Sequence, residues 1–223
     1  MKKHEHGLPL TGKIRQIVFG TTHGIISVLA IITGIARATD NETAVLITGI
    51  IALFSGAATV LIVEYLSAKS QTESLQLLTE HEQQEYITKP KHEINEMRKY
   101  YLNEGFTKKE TETIIKRITQ NPKRWIQAHA THILNFFPNK ISHPSKDALQ
   151  LMKFHLIGGT LPILPYVFLS VNRGMIYSIA ISFIALFTLG AIKNPKQRIK
   201  DGLEIVIFAS IAICLSYLLG SII

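Results

Sequence analysis

The sequence predicts an all-α polytopic membrane protein with five transmembrane helices and a helical cytoplasmic domain inserted between the second and the third. Five apolar blocks reach the about 20 residues that a helix needs to cross a hydrocarbon core. No segment alternates apolar and polar residues with the period of a strand. A polar stretch of helical periodicity separates the second block from the third. The five blocks are 17–36, 44–63, 149–171, 174–192 and 203–223.

The basic residues predict how the chain is oriented. The formal net charge is +8, and Lys and Arg lie mainly at 2–15, 69–146 and 193–200, whereas the opposite connections carry only Arg37 and Arg173. Cytoplasmic loops of membrane proteins are enriched in Lys and Arg. We therefore expect the N-terminus and the central domain in the cytoplasm, the C-terminus outside, and membrane lipid rather than nucleic acid around the protein.

These expectations divide the chain into four parts. They are a cytoplasmic N-terminal segment (1–16), transmembrane helices 1 and 2 (17–66), a cytoplasmic helical domain (67–147) and transmembrane helices 3 to 5 (148–223).

Local signals predict the helices of the domain. The first continues from the second span and ends before Pro90, because the residue before a proline is pushed out of the helical region. Gly105 closes the next helix. Thr107, with a glutamate three residues later, predicts a capping box at the start of the third. One more amphipathic stretch lies between Pro122 and Pro138.

Carboxylates at a spacing of three residues predict a metal site in the domain. Glu82 and Glu85 share one helix face, and Glu93 and Glu96 share a face of the next helix. If the two helices are antiparallel, four carboxylates face one another, which is costly unless a cation lies among them. The alternative is that these are ordinary solvated, Glu-rich helices.

Histidines could complete this site. His129 and His132 form another pair at a spacing of three residues, on a later helix. Carboxylates together with imidazoles suit Fe²⁺, Mn²⁺ or Zn²⁺ better than Ca²⁺, which prefers oxygen ligands. His81 and His92 neighbour the acids, and we interpret them as solvated residues without a role.

Three titratable residues within or at the end of the predicted spans are candidates for an ion path. Ionisable residues inside a membrane indicate a pathway by default. His23 lies among small residues in FGTTHGIIS and is the candidate in-membrane ligand. Glu64 either belongs to the pathway or reaches water from the cytoplasmic end of its span. For His155 we favour a neutral core histidine bonded to a neighbouring helix, in a span that two glycines and two prolines should kink.

The apolar blocks resemble those of the vacuolar iron transporter family, in particular its prokaryotic members. RQIVFGTTHGIISVLAIITGIA is similar to the first span of that family, and SGAATVLIVEYLSAKSQ is similar to the second. GGTLPILPY, ALFTLGAIK and GLEIVIFASIAICLSYLLG look like the last three. The resemblance implies a homodimer of five-span subunits with an ion path along the first spans and a cytoplasmic metal-binding domain. It also implies export of Fe²⁺ or similar divalent ions from the cytosol in exchange for protons, across the cell membrane in a prokaryote.

The resemblance assigns roles to particular residues. Glu82, Glu85, Glu93 and Glu96 match the domain carboxylates of the family, and Glu64 matches an acidic position where the second span runs into the domain. The chain also departs from the family at several positions. His23 replaces an aspartate, Val60 a methionine that many members carry, Ala52 a glutamate of some members, His129 a methionine and His132 a glutamate.

Two functions therefore remain open. The first is a proton-coupled divalent-metal transporter that captures ions at the domain and passes them by Glu64 and His23. The second is a non-transporting metal-binding membrane protein, a sensor or buffer that has lost its pore ligands. An enzyme is not expected, because the sequence has no evident nucleophile–base pair and no phosphate-binding loop. We expect no prosthetic group, and divalent metal as the substrate.

Overall fold

The computed structural model describes residues 12–132, 143–193 and 197–222, and the regular secondary structure of these residues is entirely helical. This confirms the predicted all-α class. The helices in these ranges are α1 (Gly12–Ala38), α2 (Glu42–Thr88), α3 (Pro90–Asn103), α4 (Lys108–Thr119), α5 (Pro122–His132), α6 (Pro144–Thr160), α7 (Leu164–Phe168), α8 (Val171–Lys193) and α9 (Arg198–Gly220).

The helices group into two compact units. The described residues within 1–66 and 144–223 form the first, which we call the membrane unit, and those within 67–143 form the second, the domain unit. Helices α1, α2, α8 and α9 are long and apolar enough to cross a membrane. The chain is thus an integral membrane protein with four apolar candidate spans among the described residues.

The segment predicted as the third span, 149–171, is two helices rather than one. Helix α6 ends at Thr160 and α7 begins at Leu164. The prolines at 162 and 165 explain the break, since a proline donates no backbone hydrogen bond and clashes with the preceding turn. The side chain of Ser178 donates to the carbonyl oxygen of Pro162 at 2.7 Å, which satisfies an acceptor that the break leaves open.

Glycines bring α1 and α6 into backbone contact. A Cβ atom on Gly24 would lie 2.2 Å from the carbonyl oxygen of His155, and one on Gly158 would lie 2.3 Å from that of Thr21. Small residues let helices in a membrane protein approach this closely. Close packing then stabilises the helix pair, because the hydrophobic effect does not favour helix association within lipid. The crossing places the middle of α1 directly against α6.

The domain unit packs the end of α2 and helices α3 to α5 around a small apolar core. Met97, Tyr101 and Trp125 are its buried members. Helix α2 ends two residues before the proline that begins α3, and Gly105 has a φ of 94°, as the sequence predicts. The helix predicted to reach Pro138 is described as far as His132, and residues 133–142 lie outside the described ranges.

The predicted capping box is present at the start of α4. The Thr107 side chain accepts from the backbone N–H of Glu110, and the Glu110 carboxylate accepts from the backbone N–H of Thr107. The Thr107 hydroxyl also donates to the Glu110 carboxylate at 2.6 Å. This bond, followed by the one from the backbone N–H of Thr107, holds the pKa of Glu110 below its usual range. The box therefore satisfies backbone donors that a free helix end leaves without partners.

Removing this cap should loosen α4. We expect Thr107→Ala to cost about 1 kcal/mol of local stability and to speed amide exchange in α4 by roughly fivefold. Exchange followed by mass spectrometry on the full-length protein measures this. Thr113→Ala is the matched control, because Thr113 only bonds to the carbonyl of Lys109 in its own helix. Equal exchange in Thr107→Ala and the parent would show that the cap contributes nothing.

Candidate metal centre

Three side chains from three helices converge in the domain unit. Glu82 lies near the end of α2, Glu93 in the first turn of α3 and His129 on α5. Their exposed fractions are 8%, 2% and 2%. Two carboxylates and an imidazole are thus withdrawn from water together. Such groups are buried at a large cost unless they are paired or coordinate a metal.

The distances between their polar atoms are those of a compact cluster. In His129, Nδ1 lies 2.5 Å from Oε2 of Glu82, and Nε2 lies 3.1 Å from Oε2 of Glu93. Glu96 extends the cluster, with Oε2 at 3.7 Å from the same Nε2. Neither ring nitrogen has a hydrogen-bond partner of acceptable geometry. These atoms therefore converge without being aligned as donor and acceptor. One ligand atom from each of the three residues lies within 4.8 Å of the others, so a cation here would take one ring nitrogen of His129 together with carboxylate oxygens.

The electrostatics of the cluster also favour a cation. Burial raises the pKa of the Glu93 carboxyl; His129 opposes this shift, and the nearby carboxylates Glu82, Glu85 and Glu96 add to it. A dication among these oxygens would replace repulsion with attraction. Oxygen and imidazole donors together suit Fe²⁺, Mn²⁺ or Zn²⁺.

His81 and His92, which the sequence predicts to be solvated neighbours of the acids, share groups of possible ligand atoms with them. Ligand atoms of His81, Glu82 and Glu85 lie within 4.8 Å of one another, and so do those of His92, Glu93 and Glu96. Both histidine side chains are exposed, at 64% and 65%. The two groups share their glutamates with the buried cluster.

A sequence signal for these histidines existed. The pattern His-Glu-x-x-Glu occurs twice, at 81–85 and at 92–96. The first copy lies at the end of α2 and the second at the start of α3. This repeat predicts that each of the two helices presents one histidine together with its two glutamates. The spacing of the glutamates alone does not include the histidines.

His132 is placed differently from His129. Its ring packs against Tyr100 and Tyr101, with ring centroids 5.1 and 5.7 Å apart. Among the described residues it belongs to none of the groups whose ligand atoms lie within 4.8 Å. The structure thus brings together the four predicted glutamates and His129, but not His132.

In the membrane unit, the two histidines of the predicted spans are neighbours. His155 is fully buried, whereas His23 is exposed at the surface of the unit. Their Nδ1 atoms lie 3.1 Å apart. The expected core histidine on α6 therefore has a partner on a neighbouring helix, and that partner is the candidate in-membrane ligand.

Glu64 lies apart from the histidine pair and faces a cation. Its carboxylate oxygen lies 3.8 Å from a guanidinium nitrogen of Arg15, and its side chain is 21% exposed. An ion pair of this length between partly exposed groups contributes little to stability. Arg15 therefore holds this carboxylate only weakly.

Comparison with known proteins identifies similar chains. The sequence model of the VIT family matches residues 14–221. The chain is similar to vacuolar iron transporter 1 of Oryza sativa subsp. japonica, with 26% identity over 182 residues, covering 81% of this chain and 72% of the relative. It is also similar to vacuolar iron transporter 1 of Arabidopsis thaliana, with 22% identity over 214 residues, covering 94% and 86%. Protein CCC1 of Saccharomyces cerevisiae is 24% identical over 225 residues, covering 89% and 65%.

Proposed function

From the premise that this chain belongs to the VIT family, whose members are membrane transporters of metal ions and not enzymes, we propose that it moves Fe²⁺ out of the cytosol in exchange for protons. Mn²⁺ and Zn²⁺ are alternative substrates, since the donors of the candidate centre suit all three ions.

The observation that carries the proposal is the buried cluster of Glu82, Glu93 and His129. Its polar atoms converge, its carboxylates repel one another, and its donors suit a transition metal. In the proposed cycle this cluster and the neighbouring Glu85 and Glu96 capture the ion from the cytosol. His132 joins them only through a rearrangement of its packing on the two tyrosines.

The proposed architecture has five spans. Helices α6 and α7 together form the third crossing, because their combined length and apolar sequence 149–171 suffice despite the break. The N-terminus and the domain are cytoplasmic and the C-terminus is outside, as the basic residues indicate. The protein works as a homodimer, in the cell membrane if the source is a prokaryote. The ion leaves the domain past Glu64 and crosses the membrane at His23.

One observation favours the second function, a metal sensor or buffer without transport. His23 already has a partner in His155 at 3.1 Å, and a neutral imidazole attracts a bare dication less strongly than a carboxylate does. A histidine that only joins two helices would leave the membrane unit without an ion path.

Flux measurements on His23 variants test the proposal. In proteoliposomes with a proton gradient we expect Fe²⁺ flux from the parent and none from His23→Ala, while the domain still binds metal. Flux should fall at acidic pH, because imidazolium cannot coordinate a metal. His23→Asp should keep the flux and move its fall to more acidic pH. A carboxylate remains deprotonated at pH values at which an imidazole is already protonated.

The matched control is Ser27→Ala, which changes the same helix one turn later and removes only a bond to the carbonyl of Gly24. All rates are normalised to folded protein, and Fe²⁺, Mn²⁺ and Zn²⁺ are compared. The absence of flux in the parent, or identical flux and ion ranking in His23→Ala, would favour the sensor or buffer.

A further inference from the structure

Two imidazoles from different helices meet inside the membrane unit, and the proposed function uses only one of them. His23 of α1 and His155 of α6 are separated by 132 residues in the chain, yet their Nδ1 atoms lie 3.1 Å apart. Their ring centroids lie 5.2 Å apart, with the ring planes inclined at 44°.

The distance between the two nitrogens suits a shared metal ion. Imidazole nitrogens lie about 2.0–2.1 Å from Zn²⁺. Two such ligands at angles of about 90–109° are therefore about 2.8–3.4 Å apart. The nitrogens of this pair stand at such a separation, which also suits a hydrogen bond between the two neutral rings. An ion would replace that hydrogen bond and keep the two nitrogens about as far apart.

The backbone of the membrane unit holds His155 in this position. On one side, a Cβ on Gly24 would meet the carbonyl oxygen of His155 at 2.2 Å. On the other, a Cβ on Gly56 would lie 2.7 Å from its Nε2. The residue is therefore confined between glycines of α1 and α2, and its Nδ1 lies next to that of His23.

His155 is fully buried, with an exposed fraction of 0%. Its Nε2 forms no hydrogen bond of good geometry, and the ring has only a backbone contact with Leu53 of α2. Its Nδ1 is the nitrogen that faces His23. An ionisable residue buried within a membrane unit is expected to have a functional role.

The donor chemistry indicates which ions would bind. Among the described residues, no carboxylate lies within ion-pairing distance of either ring, so the pair offers two neutral nitrogens. Imidazole suits Zn²⁺, Cu²⁺, Ni²⁺ and Fe²⁺, whereas Mg²⁺, Ca²⁺ and Mn²⁺ prefer oxygen ligands. His23 is exposed at the surface of the unit, so this chain alone does not enclose the pair.

We propose that His23 and His155 together form an intramembrane site for one borderline divalent ion such as Zn²⁺, with His155 as its buried ligand. The site rests on the proposed function and deepens it, because it gives the pathway a second ligand and a preference among divalent ions. Because Mn²⁺ is the poorer ion for two imidazoles, this site would discriminate between ions that the domain accepts alike.

Counting bound ions tests the site on the full-length protein in detergent. The parent in this test is a variant without the domain carboxylates. It carries Glu82→Gln, Glu85→Gln, Glu93→Gln and Glu96→Gln. Equilibrium dialysis with Zn²⁺ should show one ion per chain fewer in His23→Asn than in this parent, and one fewer in His155→Asn. The double variant should lose no more than one, because both residues hold the same ion. His143→Asn, which alters an exposed histidine outside both sites, should keep the count of the parent.

A second measurement does not depend on the folding of a variant at the buried position. In protein labelled with ¹⁵N-histidine, Zn²⁺ should shift the Nδ1 signal of His155 in the parent but not in His23→Asn, which changes only the exposed ring. An unchanged count in His23→Asn, separate losses that add to two ions, or a Zn²⁺-insensitive His155 signal would overturn the shared site.

These outcomes are distinct from failure of the proposed function, since binding is measured without a gradient. A parent that binds Zn²⁺ at the pair but shows no flux would remove transport and keep the site. Flux with an unchanged ion count in both histidine variants would keep transport and remove the site.

Discussion

Glu93→Gln should raise the melting temperature of the metal-free protein at neutral pH and remove most of its stabilisation by Zn²⁺ or Fe²⁺. Burial raises the pKa of this carboxyl in the folded protein. When folding raises the pKa of a carboxyl, the free energy of unfolding is unaffected at pH values below the unfolded-state pKa, where the group is protonated in both states. The free energy of unfolding falls as pH rises between the two pKa values and is lowest above the folded-state pKa. Glutamine carries no charge, so it removes this penalty and the variant gains most over the parent as pH rises.

The same change should weaken metal binding. Glu93 is buried at the centre of the cluster, with Oε2 at 3.1 Å from His129 Nε2. Losing even an outer partner of a ligand typically costs 10–100-fold in metal affinity, so we expect a loss of at least about tenfold. Because an ion that binds only the folded state stabilises it by mass action, the thermal shift with metal should shrink accordingly.

Thermal melting of the full-length protein, with and without Zn²⁺ and over a pH series, measures both effects. Glu104→Gln is the matched control, since Glu104 is exposed at the C-terminal end of the same helix. Equal metal responses in Glu93→Gln and the parent would remove Glu93 from the metal centre. A lower melting temperature of the metal-free variant at neutral pH would show that Glu93 is stabilised by its neighbours.

Gly24→Ala should strongly destabilise the membrane unit, although it adds only one methyl group. The new Cβ would lie 2.2 Å from the carbonyl oxygen of His155 and 2.8 Å from the backbone nitrogen of Gly159. Overpacking a core typically costs about 1–3 kcal/mol, and backbone atoms cannot move aside as a flexible side chain can. We expect at least that cost, or failure to fold.

Size-exclusion chromatography and thermal melting in detergent measure this effect. Ala58→Val adds methyl groups at an exposed position of α2 and serves as the control. If Gly24→Ala folds, the separation of α1 from α6 should also reduce Zn²⁺ binding by the His23–His155 pair. A parent-like melting temperature would show that the two helices do not pack as closely as the structure places them.

Features that depend on neighbouring residues in the chain could be predicted from the sequence. The capping box at Thr107, the end of α2 before Pro90 and the positive φ of Gly105 each follow from a few adjacent residues. The four long apolar helices follow from composition over one span. The break between α6 and α7 was expected as a kink, but its position depends on which carbonyls find partners, such as the one that Ser178 supplies.

Contacts between distant segments could not be predicted in the same way. The spacing of three residues suggested that His129 and His132 act together, yet only His129 reaches the glutamates, because the aromatic side chains of α3 hold the other ring. The meeting of His23 and His155 depends on the crossing of α1 and α6. The pattern of residues within either helix does not predict where the two helices cross.

The break between α6 and α7 bears on how the chain enters a bilayer during synthesis. A nascent segment is admitted largely by its own apolarity, and α6 and α7 are not among the described helices long and apolar enough to cross alone. The glycines of α6 pack on α1, which is made earlier, and the open carbonyl of Pro162 is satisfied by Ser178 of α8, which is made later. The ribosome must therefore complete α8 before this segment gains its full set of partners.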